Sequence, residues 1–478
     1  MSESEDQNQY YWFFGLYIFT VILNYFTPDF IRIPYYLILL ILFYKSVNNA
    51  FWIAFFWCLF YAPAYLFNDS DQNYCLPIFG LPGLGRDIMF TEVFVILIMI
   101  KSIFAKNVKM KTNAIFWLIT AFALFLILVS TTWGFTGSKV FRTIRFLIPY
   151  TLFWTLPRLI QTVNQFKTLF NYFLIFIIPV VLCQVFVFIT GQHLMFFLGG
   201  SFTQENKLKY NEIQFDSAVE LIRPLYSTHI LLLNIFYCLY LMLEEKSEQL
   251  KNSIPSITIF LTLNFMSFLI TGTRGYVLAA VAMIGIYYFV EIQKFVMNIK
   301  YFIVGIFAFY ILSITPLVGK QISLSLERLF TIQAMLEGDK TAGGTLKRLT
   351  VRQPEVMKHV EKSPIIGYGF SNTYYNEADG HVANASIMLN SGIIGFGIFV
   401  FFNLRLMYIS IELYYKTRKK KILGVIIGLV GFLVVHSTSY MVFSFALGQG
   451  NFLAFVLLLA FINVIIEENK NKLKHELS

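Results

Sequence analysis

Apolar stretches of roughly 17 to 25 residues recur along almost the whole chain, separated by short polar or basic breaks, and that length matches a helix crossing about 30 Å of hydrocarbon. The pattern predicts fourteen spans, beginning near Tyr10, Ile33, Phe51, Ile88, Ala114, Phe146, Thr168, Leu225, Ile254, Tyr276, Tyr301, Ala385, Ile422 and Phe452. Those from Ile33 and Phe146 are short enough to be tilted or surface-lying, so the range is twelve to fourteen. No alternating barrel pattern is present, and lipid does not tolerate unpaired backbone, so the reading is all-α: a polytopic transmembrane helical bundle. The first stretch follows an acidic leader without a basic n-region, which predicts a retained helix rather than a signal peptide.

Composition agrees. Of the 478 residues, 57% are hydrophobic and only 13% charged, which excludes an ordinary soluble domain. Four parts follow from the pattern: residues 1–190, N-terminal spans; 191–317, central spans with arginine-bearing outer turns; 318–384, one long polar loop; 385–478, C-terminal spans and tail. Short basic loops set orientation. Lys106, Lys109 and Lys111, Lys246 and Lys251, Lys294 and Lys300, and the run Lys416 to Lys421 all fall on one side, which the positive-inside rule makes cytoplasmic. Both termini then lie inside, and the loops 191–224 and 318–384 outside. The outer loop residues Lys320, Arg328, Lys340, Lys347, Lys358 and Lys362 make that face basic. They are either a solvated surface or a positive field for anionic lipid pyrophosphates and acidic glycans. Within this loop the segment 352–360 mixes polar and apolar residues as a short amphipathic helix does.

Candidate chemistry sits at the predicted outer boundary. Arg223 ends an outer loop just before a span, and Arg274 lies in a tight turn between two spans, beside Gly272 and Gly275. A planar guanidinium binds phosphate oxygens in pairs and stays charged, although a boundary arginine also snorkels to lipid headgroups without further purpose. His381, in Asp379-Gly380-His381, stands four residues before a span; an imidazole there can take a proton from a sugar hydroxyl, or be an interfacial histidine and nothing more. His436, in His436-Ser437-Thr438-Ser439-Tyr440, is a weaker candidate at a costly polar cluster near the end of a span. Asp69-Ser70-Asp71 reads as a polar turn in preference to a metal site, and one outer-loop cysteine, Cys75, supports no disulfide framework.

Four pieces, in order and on one side, resemble the bacterial O-antigen ligase and O-antigen polymerase superfamily over about the last 270 residues. They are Arg223 entering a span; the turn Thr273-Arg274-Gly275; Arg348 and Arg352 followed by Pro364-Ile365-Ile366-Gly367-Tyr368-Gly369; and His381 ahead of Gly392-Ile393-Ile394-Gly395. The family commonly has Asn directly after the histidine, whereas Val382 stands here and the nearest Asn is Asn384. The resemblance implies a GT-C-like fold in the bacterial inner membrane. It implies a glycosyltransferase that moves a glycan from an undecaprenyl pyrophosphate-linked donor to an acceptor hydroxyl at the periplasmic face. His381 would be the general base, Arg223 and Arg274 would bind pyrophosphate, and Arg348 and Arg352 would contact substrate. The scheme needs no metal or other cofactor. The acceptor, lipid A core or another lipid-linked glycan, separates ligase from polymerase. A flippase or exporter of the same lipid-linked oligosaccharide is the reading from a different class, although no internal repeat supports it.

Overall fold

A computed structural model describes residues 3–60, 77–80, 87–105, 108, 111–134, 143–190, 228–244, 248–271, 273–291, 348–444 and 449–477. The predicted span from Tyr301, the loop 191–224 with Arg223, the first part of the long loop, Cys75 and the Asp69-Ser70-Asp71 turn lie outside the described residues. What is described is helical, apart from one short hairpin. In chain order the main elements are α1 (Glu3–Phe26), α2 (Asp29–Lys45), α3 (Asn49–Phe60), β1 (Pro77–Gly80), β2 (Asp87–Met89), α4 (Phe90–Ile103), α5 (Trp117–Thr132), α6 (Leu152–Leu159), α7 (Val163–Thr190), α8 (Thr228–Leu243), α9 (Glu248–Thr271), α10 (Arg274–Val290), α11 (Gln353–Val360), α12 (Asn372–Glu377), α13 (Ala383–Thr417), α14 (Leu423–Thr438) and α15 (Gln449–Leu477). The antiparallel β1–β2 pair, with Pro77 opposite Met89, departs from a purely helical reading.

Among the described residues, five helical stretches are long and apolar enough to cross a membrane: Ala114–Thr132, Val163–Phe186, Ala383–Thr417, Lys420–Thr438 and Gly450–Leu473. Four shorter apolar helices accompany them: Asn49–Phe60, His229–Leu243, Ile257–Leu269 and Arg274–Val290. The protein is a membrane protein by this measure. Helix α8 and the first part of α15 are largely apolar on every side, and residues 230–240 and 451–466 are accordingly buried all round. On α13, by contrast, Phe401, Leu404, Tyr408, Ile411 and Tyr415 form an exposed stripe at helical spacing, as expected for a face against lipid.

Lipid tails are as apolar as leucine, so close packing rather than hydrophobic expulsion must hold such helices together. α14 shows how. A Cβ on Gly431 would lie 2.2 Å from Met283 Sδ, and one on Gly428 would lie 2.8 Å from Leu458 Cδ1. The small residues therefore let α14 sit directly against α10 and α15.

The bundle has two chemically distinct ends. At one end Lys420 Nζ donates to Glu291 Oε1 at 2.5 Å, Lys167 and Lys421 close on Glu244 at 2.5 and 3.2 Å, and Asn113 Nδ2 donates to Glu467 Oε1 at 2.7 Å. Gln9 of α1 accepts there from Asn48 and Tyr172, so the start of α1 and the last turns of α15 share this end with the basic loops. Of the expected basic loops, Lys420 and Lys421 lie at this end and the Lys111 carbonyl accepts from Asn463 Nδ2 there, while Lys106, Lys109, Lys246, Lys294 and Lys300 lie outside the described residues. The other end holds residues 348–352, 363–381 and 438–444.

Candidate functional site

The site at that second end is organised by the C-terminus of α14. A helix leaves its last carbonyls without intrahelical partners, and they carry the negative end of the macrodipole. Here the chain folds back tightly: Ser439 N and Tyr440 N both donate to Val435 O, at 2.8 and 3.0 Å, and Met441 N donates to Gly380 O at 2.9 Å. His436 secures the turn from below. Its ring is 1% exposed, and its Nδ1 accepts from Val442 N at 3.2 Å. The carbonyls of Thr438 and Ser439 are left as acceptors, and two groups from the long loop take them. Arg348 Nη1 donates to Thr438 O at 2.7 Å and reaches Ser439 O at 3.5 Å. His381 Nδ1 lies 3.0 Å from Ser439 O.

That second contact assigns the tautomer. A carbonyl only accepts, so Nδ1 carries the hydrogen and Nε2 presents a lone pair. The ring stands edge-on to Tyr440, with centroids 4.8 Å apart. Burial lowers the His381 pKa from its usual value; the Ser439 carbonyl opposes this, Arg348 adds to it, Asp379 opposes and Arg352 adds. The net effect is a neutral imidazole at neutral pH, the form that can accept a proton. Burial, with Asp379 nearby, raises the Tyr440 pKa, so the phenol keeps its hydrogen.

Asp379 ties the remaining groups. Its Oδ1 accepts from His381 N at 2.8 Å, and its Oδ2 pairs with Arg352 Nη1 at 3.2 Å. Ser386, in the first turn of α13, accepts from Asp379 N at 3.0 Å and donates to Asp379 O at 2.8 Å, which anchors the loop to the helix. The Arg352 side chain is 42% exposed and that of Asp379 25%, so the pair contributes only about 0–1 kcal/mol.

Arg274 begins α10 beside this turn. A Cβ on Gly275 would lie 2.3 Å from Ser439 Cβ, so only a glycine lets the helix start so close to the carbonyls that hold Arg348 and His381. Arg274 Nε is buried at that junction.

The Pro-Ile-Ile-Gly-Tyr-Gly segment has a structural task. The expected continuous helix from Ala385 is broken at Gly392, whose backbone (φ 60°, ψ −166°) no helix contains. The break frees backbone groups that would be costly unpaired at this depth. The loop pairs with them: Ile393 N donates to Pro364 O at 2.8 Å, Tyr368 N to Leu389 O at 2.8 Å and Gly369 N to Asn390 O at 2.7 Å. Asn390 Nδ2 returns a bond to Gly369 O at 2.7 Å. Gly367 and Gly369 adopt φ of 69° and 55°, and their Cβ positions would fall within 2.5 Å of Gly392 N and Ser130 N. Ser130 Oγ on α5 and Trp133 Nε1 just past its end complete the clasp, bonding Phe370 N and Gly367 O at 2.8 and 3.1 Å. The predicted amphipathic segment forms α11, and its buried Val356 and Val360 face inward where it packs on α13.

Of the five site residues named from sequence, the structure brings His381, Arg348 and Arg352 together and places Arg274 at the adjoining turn; Arg223 lies outside the described residues. Sequence reasoning gave no role to Asp379 or to the Thr438 and Ser439 carbonyls. Asp379 was visible only as the neighbour of His381, and the carbonyls only as the polar run after His436. The chain matches no protein-family model and no curated protein. Its chemistry must therefore be argued from the site itself: a neutral imidazole with one nitrogen pinned and the other, among the described residues, free, flanked by guanidiniums at the rim of a membrane bundle.

Proposed function

We propose that this protein is a membrane glycosyltransferase that moves a glycan from a lipid pyrophosphate, undecaprenyl pyrophosphate in a bacterial inner membrane, to an acceptor hydroxyl. The observation that carries this reading is the convergence of His381, Arg348 and Arg352 on the last carbonyls of α14, next to the turn that starts with Arg274. In the reaction His381 Nε2 takes the acceptor proton as the hydroxyl oxygen attacks the anomeric carbon. The bond from that carbon to the pyrophosphate oxygen breaks, and the guanidiniums offset the charge growing on the leaving group. A single displacement inverts the anomeric centre. Outside the cytoplasm there is no nucleotide-sugar supply, so a lipid pyrophosphate is the chemically reasonable activated donor. On this reading the lysine-rich end is cytoplasmic with both termini, the site end is periplasmic, and the fold is of the GT-C-like kind. The acceptor is a lipid A core sugar in a ligase or another lipid-linked glycan in a polymerase.

One observation favours a second reading. Broken helices mark many transporters, where freed backbone groups coordinate the cargo. At Gly392, however, loop 364–369 already bonds the broken backbone on both sides, which supports the enzyme over an exporter of the same lipid-linked sugar. The deciding experiment measures glycan transfer in membranes holding the wild-type protein, resolving lipid-linked from lipid A-linked products. Longer lipid-linked chains mean polymerase, glycan on lipid A core means ligase, and translocation without a new glycosidic bond overturns the enzyme reading.

A further inference from the structure

Asp379 occupies an unusual position for a carboxylate beside a site for anions. It places a negative charge where a pyrophosphate would have to approach, and it engages one of the guanidiniums meant for that pyrophosphate. A carboxylate with no task there would weaken donor binding. Its two oxygens have separate partners, Arg352 Nη1 at 3.2 Å and the His381 backbone N at 2.8 Å.

The two arginines are held differently. Arg348 rests on uncharged helix carbonyls, 2.7 and 3.5 Å away, that stay in place whatever binds. Arg352 rests on a charged, solvent-reached partner, with its own side chain 42% exposed. An exposed ion pair is weak and exchanges readily. A pyrophosphate carries more charge than a carboxylate and offers paired oxygens to the planar guanidinium fork.

We propose that Asp379 is a latch: it stows Arg352 while the site is empty, and the pyrophosphate of the incoming donor takes the guanidinium over by ion-pair exchange. The inference rests on the lipid-pyrophosphate reading above and adds a sequence of events to it. No covalent bond changes in the exchange. Before it, Asp379 neutralises Arg352, so the empty site carries less unbalanced positive charge. After it, the Asp379 carboxylate faces His381 without its own cation, and His381⁺ becomes the partner that it favours. Proton removal from the acceptor is thereby promoted only once the donor is seated. Asp379 is a positioning residue in this scheme; it touches neither the acceptor nor the reacting carbon.

The test is a double-mutant cycle read by calorimetric titration of inorganic pyrophosphate into the full-length protein in detergent, with thermal unfolding as the check on folding. Asp379→Asn keeps the acceptor for His381 N and removes the charge. It should tighten pyrophosphate binding by about three- to tenfold, while Arg352→Ala weakens it by about tenfold. In the Arg352→Ala background the gain from Asp379→Asn should shrink to less than about twofold, because no guanidinium is left to release. An equal gain in both backgrounds would mean simple charge removal and overturns the latch alone. A loss of binding in Asp379→Asn overturns it as well. Pyrophosphate binding absent from all four proteins overturns the donor reading together with the latch.

Discussion

The two ends of the bundle use charge in opposite ways. At the lysine-rich end the carboxylates are the buried partners: the side chain of Glu291 is 8% exposed and that of Glu244 14%, and lysines from neighbouring helices close over them. At the site end the arginines are part-exposed, one rests on backbone carbonyls, and the imidazole keeps a free nitrogen. Charge that is closed between buried partners joins helices. Charge held by neutral dipoles or by a weak, wet partner stays available to a ligand. The difference separates an end that clamps the fold from an end that keeps polar groups available, which the proposed reaction would use.

The comparison breaks most sharply at His381. Replacement by alanine should lower transfer by about 10²- to 10⁴-fold while leaving the unfolding temperature close to wild type. Full transfer in this variant would remove the general base from the scheme. The next largest effect falls on folding at the site end. In Gly392→Ala the new methyl group would meet Ile365 O at 2.2 Å on a backbone with φ of 60°, so a loss of about 1–3 kcal/mol from strain is expected, read as a lowered melting temperature and poor yield.

Arg348→Ala removes a charged hydrogen bond worth about 1.5–3 kcal/mol and one of the cations that lower the His381 pKa. The sign follows from the groups facing that ring, namely Arg348, Arg352, Asp379 and the Tyr440 phenol. In the wild type the acidic limb of the pH–rate profile should lie below the ordinary histidine range, with activity rising as pH increases through it and flat at neutral pH. Without Arg348 the limb should move upward. A limb already at the ordinary value in the wild type would contradict the burial and charge argument.

The smallest effect belongs to the other end. Lys420→Ala should cost about 1 kcal/mol of stability, because the lysine is 44% exposed and solvent screens much of its pairing with Glu291. Transfer at saturating donor should be unchanged. A drop in transfer as large as that of Arg348→Ala would mean that the two ends are coupled through the helices and not divided as drawn.

Membrane character and helical class were legible along the chain, because lipid imposes a length and a hydropathy that any spanning helix must display locally. His381 and Arg274 were also singled out as types, since imidazole and guanidinium at a membrane boundary are costly without a task, whereas Arg348 and Arg352 were named only through the family resemblance. Other features depended on distant backbone. The break at Gly392 reads as an ordinary apolar helix until loop 364–369 supplies its hydrogen bonds from across the fold. Asp379 had no role in the sequence until Arg352 was placed opposite it. The free nitrogen of His381 is decided by Ser439 O, 58 positions later in the sequence. Hydropathy is a property of each segment in its solvent and so survives in one dimension. Which carbonyl pins an imidazole, and which carboxylate holds an arginine, are matters of a few ångströms between segments, and only the packed tertiary structure determines them.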